Sequence, residues 1–128
     1  MDQEWKVLYE AAKGVLAPRD ISKSMRVAIV GAAVQTKSGN IYTGVCIDMW
    51  CSLGMCAERN ALSTMITHGE DEVVRVCSVG EDGNVIPSCG ACREFMMQLG
   101  GTPADIQILL DNDGTYTTLG QLIPHHPN

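Results

Sequence analysis

Hydrophobic residues recur every three to four positions in several stretches of the chain, which is the spacing of one face of an α-helix. In the first stretch Trp5, Leu8, Ala12 and Val15 share such a face, and Pro18 ends the pattern. Glycines stop two of the later stretches. The spacing predicts helices over residues 4–16, 56–67 and 89–99 and a short helical turn over residues 119–123.

Apolar runs rich in β-branched residues alternate with these helices. The first run, residues 27–34, is almost entirely apolar, which is typical of a strand buried on both faces. Strands are predicted over residues 27–34, 41–45, 73–79, 106–110 and 115–118. Because strands alternate with helices, we expect a mixed sheet with helices on its faces.

Composition predicts one globular domain: the chain has 128 residues, 45% of them hydrophobic and 19% charged. We assign residues 1–128 to that domain, with an N-terminal helix in residues 1–17 and a loose tail in residues 124–128. The net charge of −6 argues against nucleic-acid binding, which needs clustered Lys and Arg. Since neither a membrane span nor a signal-peptide pattern is found, we expect no membrane partner and a cytoplasmic location.

Six cysteines point to metal binding or catalysis, because a chain of this length forms a core without disulfide cross-links. Cys77 lies in an apolar run and is interpreted as a buried residue. Cys46 and Cys51 are interpreted as packing residues rather than ligands. The other three cysteines belong to two motifs that each begin a predicted helix, Cys56-Ala57-Glu58-Arg59-Asn60 and Pro87-Ser88-Cys89-Gly90-Ala91-Cys92-Arg93-Glu94.

The two motifs are expected to meet in the folded chain. Cys89 and Cys92 are one helical turn apart, so their sulfurs lie on the same side. The 32 residues between Cys56 and Cys89 leave room for a helix and a strand that return the chain to the same sheet edge. Helix N-termini favour anions and lower thiol pKa values, which suits zinc ligation by three thiolates.

Three protein ligands leave a fourth position on tetrahedral zinc, and catalytic sites keep that position for water. Glu58 follows Cys56 by two residues and is predicted to carry the proton of that water. Arg59 is the candidate cation that offsets the charge of three thiolates. The alternative is a structural zinc site, in which Cys51 supplies a fourth sulfur and no position stays open.

Four stretches of the chain resemble the small cytidine deaminases, a family that includes blasticidin S deaminases. They are Val-Gly-Ala-Ala at 30–33, Gly-Asn-Ile-Tyr-Thr-Gly-Val at 39–45, Leu-Gly-Met-Cys-Ala-Glu-Arg-Asn-Ala at 53–61 and Cys-Gly-Ala-Cys-Arg at 89–93. The resemblance covers about residues 26–123. It implies a three-layer α/β/α sandwich around a mixed five-stranded sheet, and a homotetramer or alternatively a dimer. It also implies one zinc ion per subunit on Cys56, Cys89 and Cys92, with Glu58 as proton carrier and Arg59 hydrogen-bonded to ligand sulfurs.

The sequence departs from the family pattern where substrate is bound. Cys46 and Asp48 stand where the family reads ribose with Asn and Glu. Cysteine cannot replace asparagine in that role, whereas Asp48 can still accept a hydrogen bond from a hydroxyl. Ala28 stands where an aromatic residue stacks on the pyrimidine, and Trp50 is the candidate for a replacement ring or for packing against a neighbouring subunit. Ala57 completes the predicted substrate-binding set.

These features predict hydrolytic deamination of a cytosine-like aminopyrimidine, with cytidine or deoxycytidine as default substrate, in pyrimidine nucleoside salvage. A modified nucleoside such as blasticidin S, or another amino-heterocycle, is an alternative substrate. A non-catalytic structural-zinc or ligand-binding protein is the alternative from another class. Ser88, which separates Pro87 from Cys89, is a further departure from the family pattern beside the predicted ligands.

Overall fold

Four α-helices and six β-strands make up the chain, and the computed structural model describes all residues from 1 to 128. Asp2 begins the first helix by accepting a hydrogen bond from the Trp5 N–H at 3.0 Å. Helices α1 to α4 span Gln3–Gly14, Ala57–Thr67, Gly90–Met97 and Leu119–Leu122. Strands β1 to β6 span Arg19–Ser22, Met25–Thr36, Ile41–Met49, Val73–Gly80, Gln107–Leu109 and Tyr116–Thr118.

The sheet is mixed and is organised around the long strand β2. Strand β3 pairs antiparallel with one edge of β2, and β4 pairs antiparallel with the other. Beyond β4 lie β5, which is parallel to it, and β6, which is antiparallel to β5. The short strand β1 pairs antiparallel with the first residues of β2. Since β3 occupies the opposite edge there, β1 shares the β4 edge of β2.

Helices cover both faces of the sheet. On one face α1 packs Trp5, Leu8 and Ala12 against Ala33 and Cys77 of the sheet. On the other face α2, α3 and α4 enclose a larger hydrophobic cluster. Its strand residues, such as Val34 and Val76, are the sequence neighbours of Ala33 and Cys77, because successive strand residues face opposite sides of the sheet. The three-layer α/β/α architecture expected from the sequence is therefore confirmed.

Two glycines let the helices approach the sheet closely. A Cβ atom on Gly31 of β2 would lie 2.2 Å from the carbonyl oxygen of Ala12 in α1. A Cβ atom on Gly44 of β3 would lie 2.4 Å from the backbone nitrogen of Ala61 in α2. The second contact matters for function, because it fixes the helix whose first residues carry Cys56 and Glu58.

The strand count differs from the expectation of five. Residues 19–22 form β1, although all four are exposed and show no alternation of polar and apolar residues. These residues form a strand because they pair with β2, although their own sequence has no strand pattern. Strand β3 also runs to Met49, beyond the predicted residue 45, because β2 starts early enough to pair with it.

The last residues contact helix α3, which differs from the loose tail expected from the sequence. The His126 Nε2 atom lies 2.7 Å from a carboxylate oxygen of Glu94. The Asn128 side chain donates to the Met97 carbonyl at 3.4 Å. None of the helices has both the length and the hydrophobicity that a membrane crossing requires.

Candidate active site

Three cysteine sulfurs meet where helices α2 and α3 begin. Cys56 and Cys89 are the N-cap residues of these helices, both with extended backbone and neither capping its helix through its side chain. Cys92 lies in the first turn of α3 and is fully buried. The three Sγ atoms all lie within 4.8 Å of one another, and those of Cys56 and Cys89 are 3.4 Å apart. This cluster can hold a metal ion.

Cys51 does not join this cluster. Its side chain is exposed and lies outside the group of sulfurs that approach one another. The four-sulfur arrangement considered from the sequence is therefore not formed.

Arg59 provides positive charge at the cluster. Its Nη2 atom lies 3.6 Å from the Cys56 sulfur, one helical turn away. The hydrogen bond to Cys56 raises the pKa of Arg59, so the guanidinium stays charged. An arginine bonded to a ligand sulfur offsets negative charge that accumulates when thiols ionise.

Burial controls the ionisation of the thiols. Burial raises the pKa of Cys56. It also raises the pKa of Cys92, and the negative charge of the nearby Glu58 carboxylate adds to that rise. The pKa of Cys89 is lowered instead: burial raises it, but hydrogen bonds from the backbone of Cys92 and from the Cys56 side chain outweigh that effect. Buried thiols ionise when a cation replaces their protons, so the cluster is suited to bind a metal with proton release.

Glu58 lies beside the sulfurs in the first turn of α2. Only 5% of its surface is exposed, and its carboxylate makes no hydrogen bond to a protein atom. It nevertheless lines an open cavity of about 480 Å³, together with Cys56 and Cys89. A buried carboxylate with free lone pairs beside a thiol cluster is available to accept a proton from a bound molecule.

The cavity contains most of the residues that the sequence singled out. Cys46, Asp48 and Ala57 line it, as does Arg59. Trp50 does not: it is 74% exposed and borders a shallow groove beside β1 and the start of β2. The remaining lining residues were not predicted as site residues: Ile29, Val30, Ile47, Met49, Ser52, Gly54, Met55, Ile86 and Pro87.

A bulge in β2 forms one wall of the cavity. Val27 faces Ile47 of β3 and Gly31 faces Val45, so residues 28–30 of β2 stand opposite Cys46 alone. Ala28 is fully buried with φ of 65°, a left-handed conformation that is rare for alanine. It does not line the cavity, whereas Ile29 and Val30 do. Bulges beside active sites commonly redirect side chains in this way.

The other walls are held by hydrogen bonds between β3 and its neighbours. Ile47 and Met55 exchange two backbone hydrogen bonds of 2.9 Å, which fix the segment before α2 against the strand. The Asn60 side chain donates to the Val45 carbonyl at 2.9 Å and fixes α2. Ser88 is buried and its hydroxyl has no partner, so the residue inserted after Pro87 points into the protein and leaves the Cys89 sulfur in the cluster.

Fold and site together define a class: α/β domains that present three thiols and a carboxylate at the base of one cavity. No protein-family model matches the chain. It is 37% identical over 100 residues to a cytidine deaminase of Halalkalibacterium halodurans, which covers 74% of both chains. It is 31% identical over 106 residues to a blasticidin-S deaminase of Bacillus cereus, again over 74% of both. The crystal structure of cytidine deaminase from Burkholderia pseudomallei matches it with a TM-score of 0.75 and 32% identity, over 98% of both chains.

The chain belongs to the cytidine deaminase family. It is a hydrolytic deaminase, as the sequence motifs predicted. The resemblance drawn from four short stretches of sequence is therefore confirmed, and so is the fold that it implied.

Proposed function

We propose that this protein is a zinc-dependent hydrolase that converts a cytosine-like aminopyrimidine to its uracil-type product and releases ammonia. Cytidine or deoxycytidine is the default substrate. The observation that carries the proposal is that the three cysteine sulfurs and the Glu58 carboxylate open onto the same cavity. The cavity volume of about 480 Å³ is in the range of sites for small molecules.

The donor set fits zinc. Zinc–sulfur distances of about 2.3 Å in a tetrahedral site separate the sulfurs by about 3.8 Å. The sulfurs here lie 3.4 Å apart for Cys56 and Cys89, and all three lie within 4.8 Å of one another. Soft thiolates select zinc over magnesium or calcium, which prefer oxygen ligands. We therefore propose one zinc ion per chain on Cys56, Cys89 and Cys92.

Bound zinc would supply a Lewis acid that makes water reactive near neutral pH. Glu58 accepts the proton of that water on its carboxylate and delivers it to the ring nitrogen of the substrate. The water oxygen bonds to the ring carbon that carries the amine. Glu58 then takes the remaining proton of that oxygen and transfers it to the amine, so that the carbon–nitrogen bond breaks, a carbon–oxygen double bond forms and ammonia departs. Arg59 remains bound to the Cys56 sulfur throughout and balances the charge of the thiolates.

The rest of the cavity supplies recognition. Ile29 and Val30 offer an apolar surface to a pyrimidine ring, in place of the aromatic residue that the family carries at position 28. Ala57 lines the same space through its backbone and small side chain. Asp48 also lines the cavity, and its carboxylate can accept a hydrogen bond from the substituent on the ring.

A second candidate substrate is a modified nucleoside such as blasticidin S. The similarity to a blasticidin-S deaminase of Bacillus cereus supports it. So does the cavity, since Cys46 and Asp48 give it fewer hydrogen-bonding groups for a ribose than Asn and Glu would. The structural-zinc alternative, in which Cys51 supplies a fourth sulfur, is not supported, because Cys51 lies outside the cluster.

The test is a substrate panel with zinc-loaded protein: cytidine, deoxycytidine, cytosine, 5-methylcytidine and blasticidin S, followed by ultraviolet absorbance and ammonia release. We expect turnover of at least one member. Glu58→Ala should keep its zinc and lower kcat by about 10²–10⁴-fold, the usual contribution of proton transfer. Glu10→Ala, at an exposed position of α1, is the control. Retained activity in Glu58→Ala, or zinc-loaded protein inactive on the whole panel, would contradict the proposal.

The exposed apolar side chains beside the cavity bear on how the protein assembles. Trp50 and Leu53 are 74% and 79% exposed beside the cavity, and exposed apolar side chains in one region are typical of an interface. We propose that they pack against a neighbouring subunit in a homotetramer, or alternatively a dimer, which light scattering can measure. A monomer in solution would contradict this. We also propose a cytoplasmic location.

A further inference from the structure

Two of the three clustered thiols are open to the cavity, and the third is not. Cys89 is exposed and Cys56 is half-buried, and both line the cavity. Cys92 does not line it and is fully buried in the hydrophobic cluster that α2 and α3 form with the sheet. A small reactive molecule that enters the cavity therefore meets Cys89 and Cys56, whereas the core shields the Cys92 sulfur.

The two open thiols are also in contact with each other. Their Sγ atoms lie 3.4 Å apart, and the sulfur–sulfur bond of a disulfide is about 2.05 Å long, so a bond requires an approach of about 1.4 Å. Neither side chain caps its helix, so no backbone N–H of a helix start holds either sulfur. The Cys56 sulfur contacts Arg59 at 3.6 Å, and that long side chain can follow a small movement.

We propose that Cys56 and Cys89 form a redox modification site, at which a peroxide oxidises the two thiols to a disulfide. The bond removes two of the three metal ligands, so the metal is released and activity is lost until a thiol reductant restores the cysteines. The inference rests on the proposed function for this consequence, because it adds a regulation to the same site. The disulfide itself needs only the two thiols.

The reaction balances for two thiols and one peroxide. The Cys89 sulfur attacks a peroxide oxygen, the oxygen–oxygen bond breaks, and water leaves a sulfenic acid on Cys89. The Cys56 sulfur then attacks the Cys89 sulfur, the sulfur–oxygen bond breaks, and a second water leaves. The thiols together give two electrons to the peroxide, and their two protons end in the two waters. Where a metal has replaced those protons, solvent supplies them.

The alternative disulfide joins Cys89 to Cys92, which form a Cys-x-x-Cys pair at the start of α3. Pairs with this spacing are redox-active in other proteins. Here the Cys92 sulfur is packed among core residues such as Leu62 and Met96, with 0% of its surface exposed. Bonding to it requires Cys92 to leave its packed position, so the pair that faces the cavity is favoured.

The test treats zinc-loaded protein with hydrogen peroxide. A chelating dye measures released zinc, and thiols are counted after unfolding. We expect one zinc ion released for every two thiols lost, and peptide mapping should find Cys56 joined to Cys89 with Cys92 still a thiol. Dithiothreitol followed by zinc should restore the metal content. A disulfide between Cys89 and Cys92, or zinc release with a sulfinic acid and no disulfide, would overturn the inference.

Cys51→Ala is the matched control, because Cys51 is the other exposed thiol and lies outside the cluster. It should form the same disulfide and release as much zinc as the wild-type protein. In metal-free Cys56→Ala, Cys89 has lost its partner and should remain open to a mixed disulfide with glutathione. An intramolecular disulfide at wild-type yield in Cys56→Ala would count against the assignment.

The outcome is separable from that of the proposed function. The same mapping on metal-free protein, prepared with a chelator, depends on neither zinc nor turnover. If the substrate panel is inactive but Cys56 and Cys89 are joined, the proposed function fails and the modification site stands. If the panel is turned over but oxidation does not join these two cysteines, the modification site fails and the proposed function stands.

Discussion

The two ends of the cavity are built in different ways. The metal end consists of two short motifs at two helix N-termini, and its sulfurs, Arg59 and Glu58 lie within one turn of those helix starts. The opposite end is made of the β2 bulge, β3 and the segment before α2, which meet only through strand pairing and hydrogen bonds across the fold. The metal end depends on short sequence motifs, so it can keep its chemistry. The wall depends on how the strands pair, so a change in pairing can alter which substrate the cavity binds.

Breaking the metal end should have the largest effect. Cys92→Ala removes a fully buried sulfur from a set of three. We expect metal affinity to fall by more than about 100-fold, because even an outer partner of a metal ligand accounts for about 10–100-fold. Activity should be lost with it. Metal content after dialysis and turnover of the best substrate measure both effects.

Cys51→Ala is the control for that experiment, because Cys51 is exposed and outside the cluster. It should bind metal as tightly as the wild-type protein. Equal metal loss in Cys51→Ala and Cys92→Ala would show that the cluster is not the metal site.

Removing the charge of Arg59 should weaken the metal end without dismantling it. In Arg59→Met the Cys56 sulfur loses the guanidinium 3.6 Å away, so the three thiolates are less well compensated. Metal affinity should fall about 10–100-fold, as for other outer partners. Competition with a chelating dye measures this. Arg26→Met, an exposed arginine paired with Asp20, is the matched control; a comparable loss there would point to overall charge instead of the contact.

The same contrast explains what the sequence could and could not predict. Cys89 and Cys92 are one helical turn apart, and Glu58 is two residues from Cys56, so local spacing predicts the arrangement within each motif. That the two motifs meet depends on the helix and strand between them. The bulge has no such signal, because it exists only in the register of β2 against β3. The sequence therefore predicts ordinary strand residues at Ile29 and Val30. The sequence offers Trp50 as a replacement ring, but Trp50 does not line the cavity.

The bulge can be tested through stability. Ala28→Val should be strongly destabilising, because Ala28 is fully buried and a β-branched residue is unfavourable at its φ of 65°. Ala33→Val is matched, since Ala33 is equally buried in the same strand but has no positive φ. Both variants overpack the core by about 1–3 kcal/mol. Ala28→Val should lose more than Ala33→Val, because a β-branched side chain tolerates this positive φ less well than alanine does. Urea unfolding of both variants measures the difference, and equal losses would mean that the positive φ of Ala28 adds no penalty for a β-branched side chain.

The smallest expected effect concerns Glu70, which anchors the start of β3 far from both ends of the cavity. Its carboxylate accepts hydrogen bonds from Ser38, from Tyr42 at 2.6 Å and from Asn40 at 2.9 Å. These bonds, with that from Ser38 the strongest, lower the pKa of Glu70 to about 2. A carboxyl group with a lowered folded-state pKa stabilises the protein above its unfolded pKa of about 4.3 and loses that contribution as the pH falls toward 2.

Glu70→Gln should therefore be less stable than wild type at pH 7, and the difference should shrink between about pH 4.3 and about pH 2, where wild-type Glu70 becomes protonated. Thermal unfolding at several pH values measures this, with Glu10→Gln as an exposed control. Metal release in acid affects all three proteins alike, so the difference isolates the carboxylate. Metal content and the ratio of cytidine to deoxycytidine turnover should not change, because Glu70 does not line the cavity. A changed ratio would show that the recognition wall depends on the far end of β3, and that the two ends of the cavity are less independent than their construction implies.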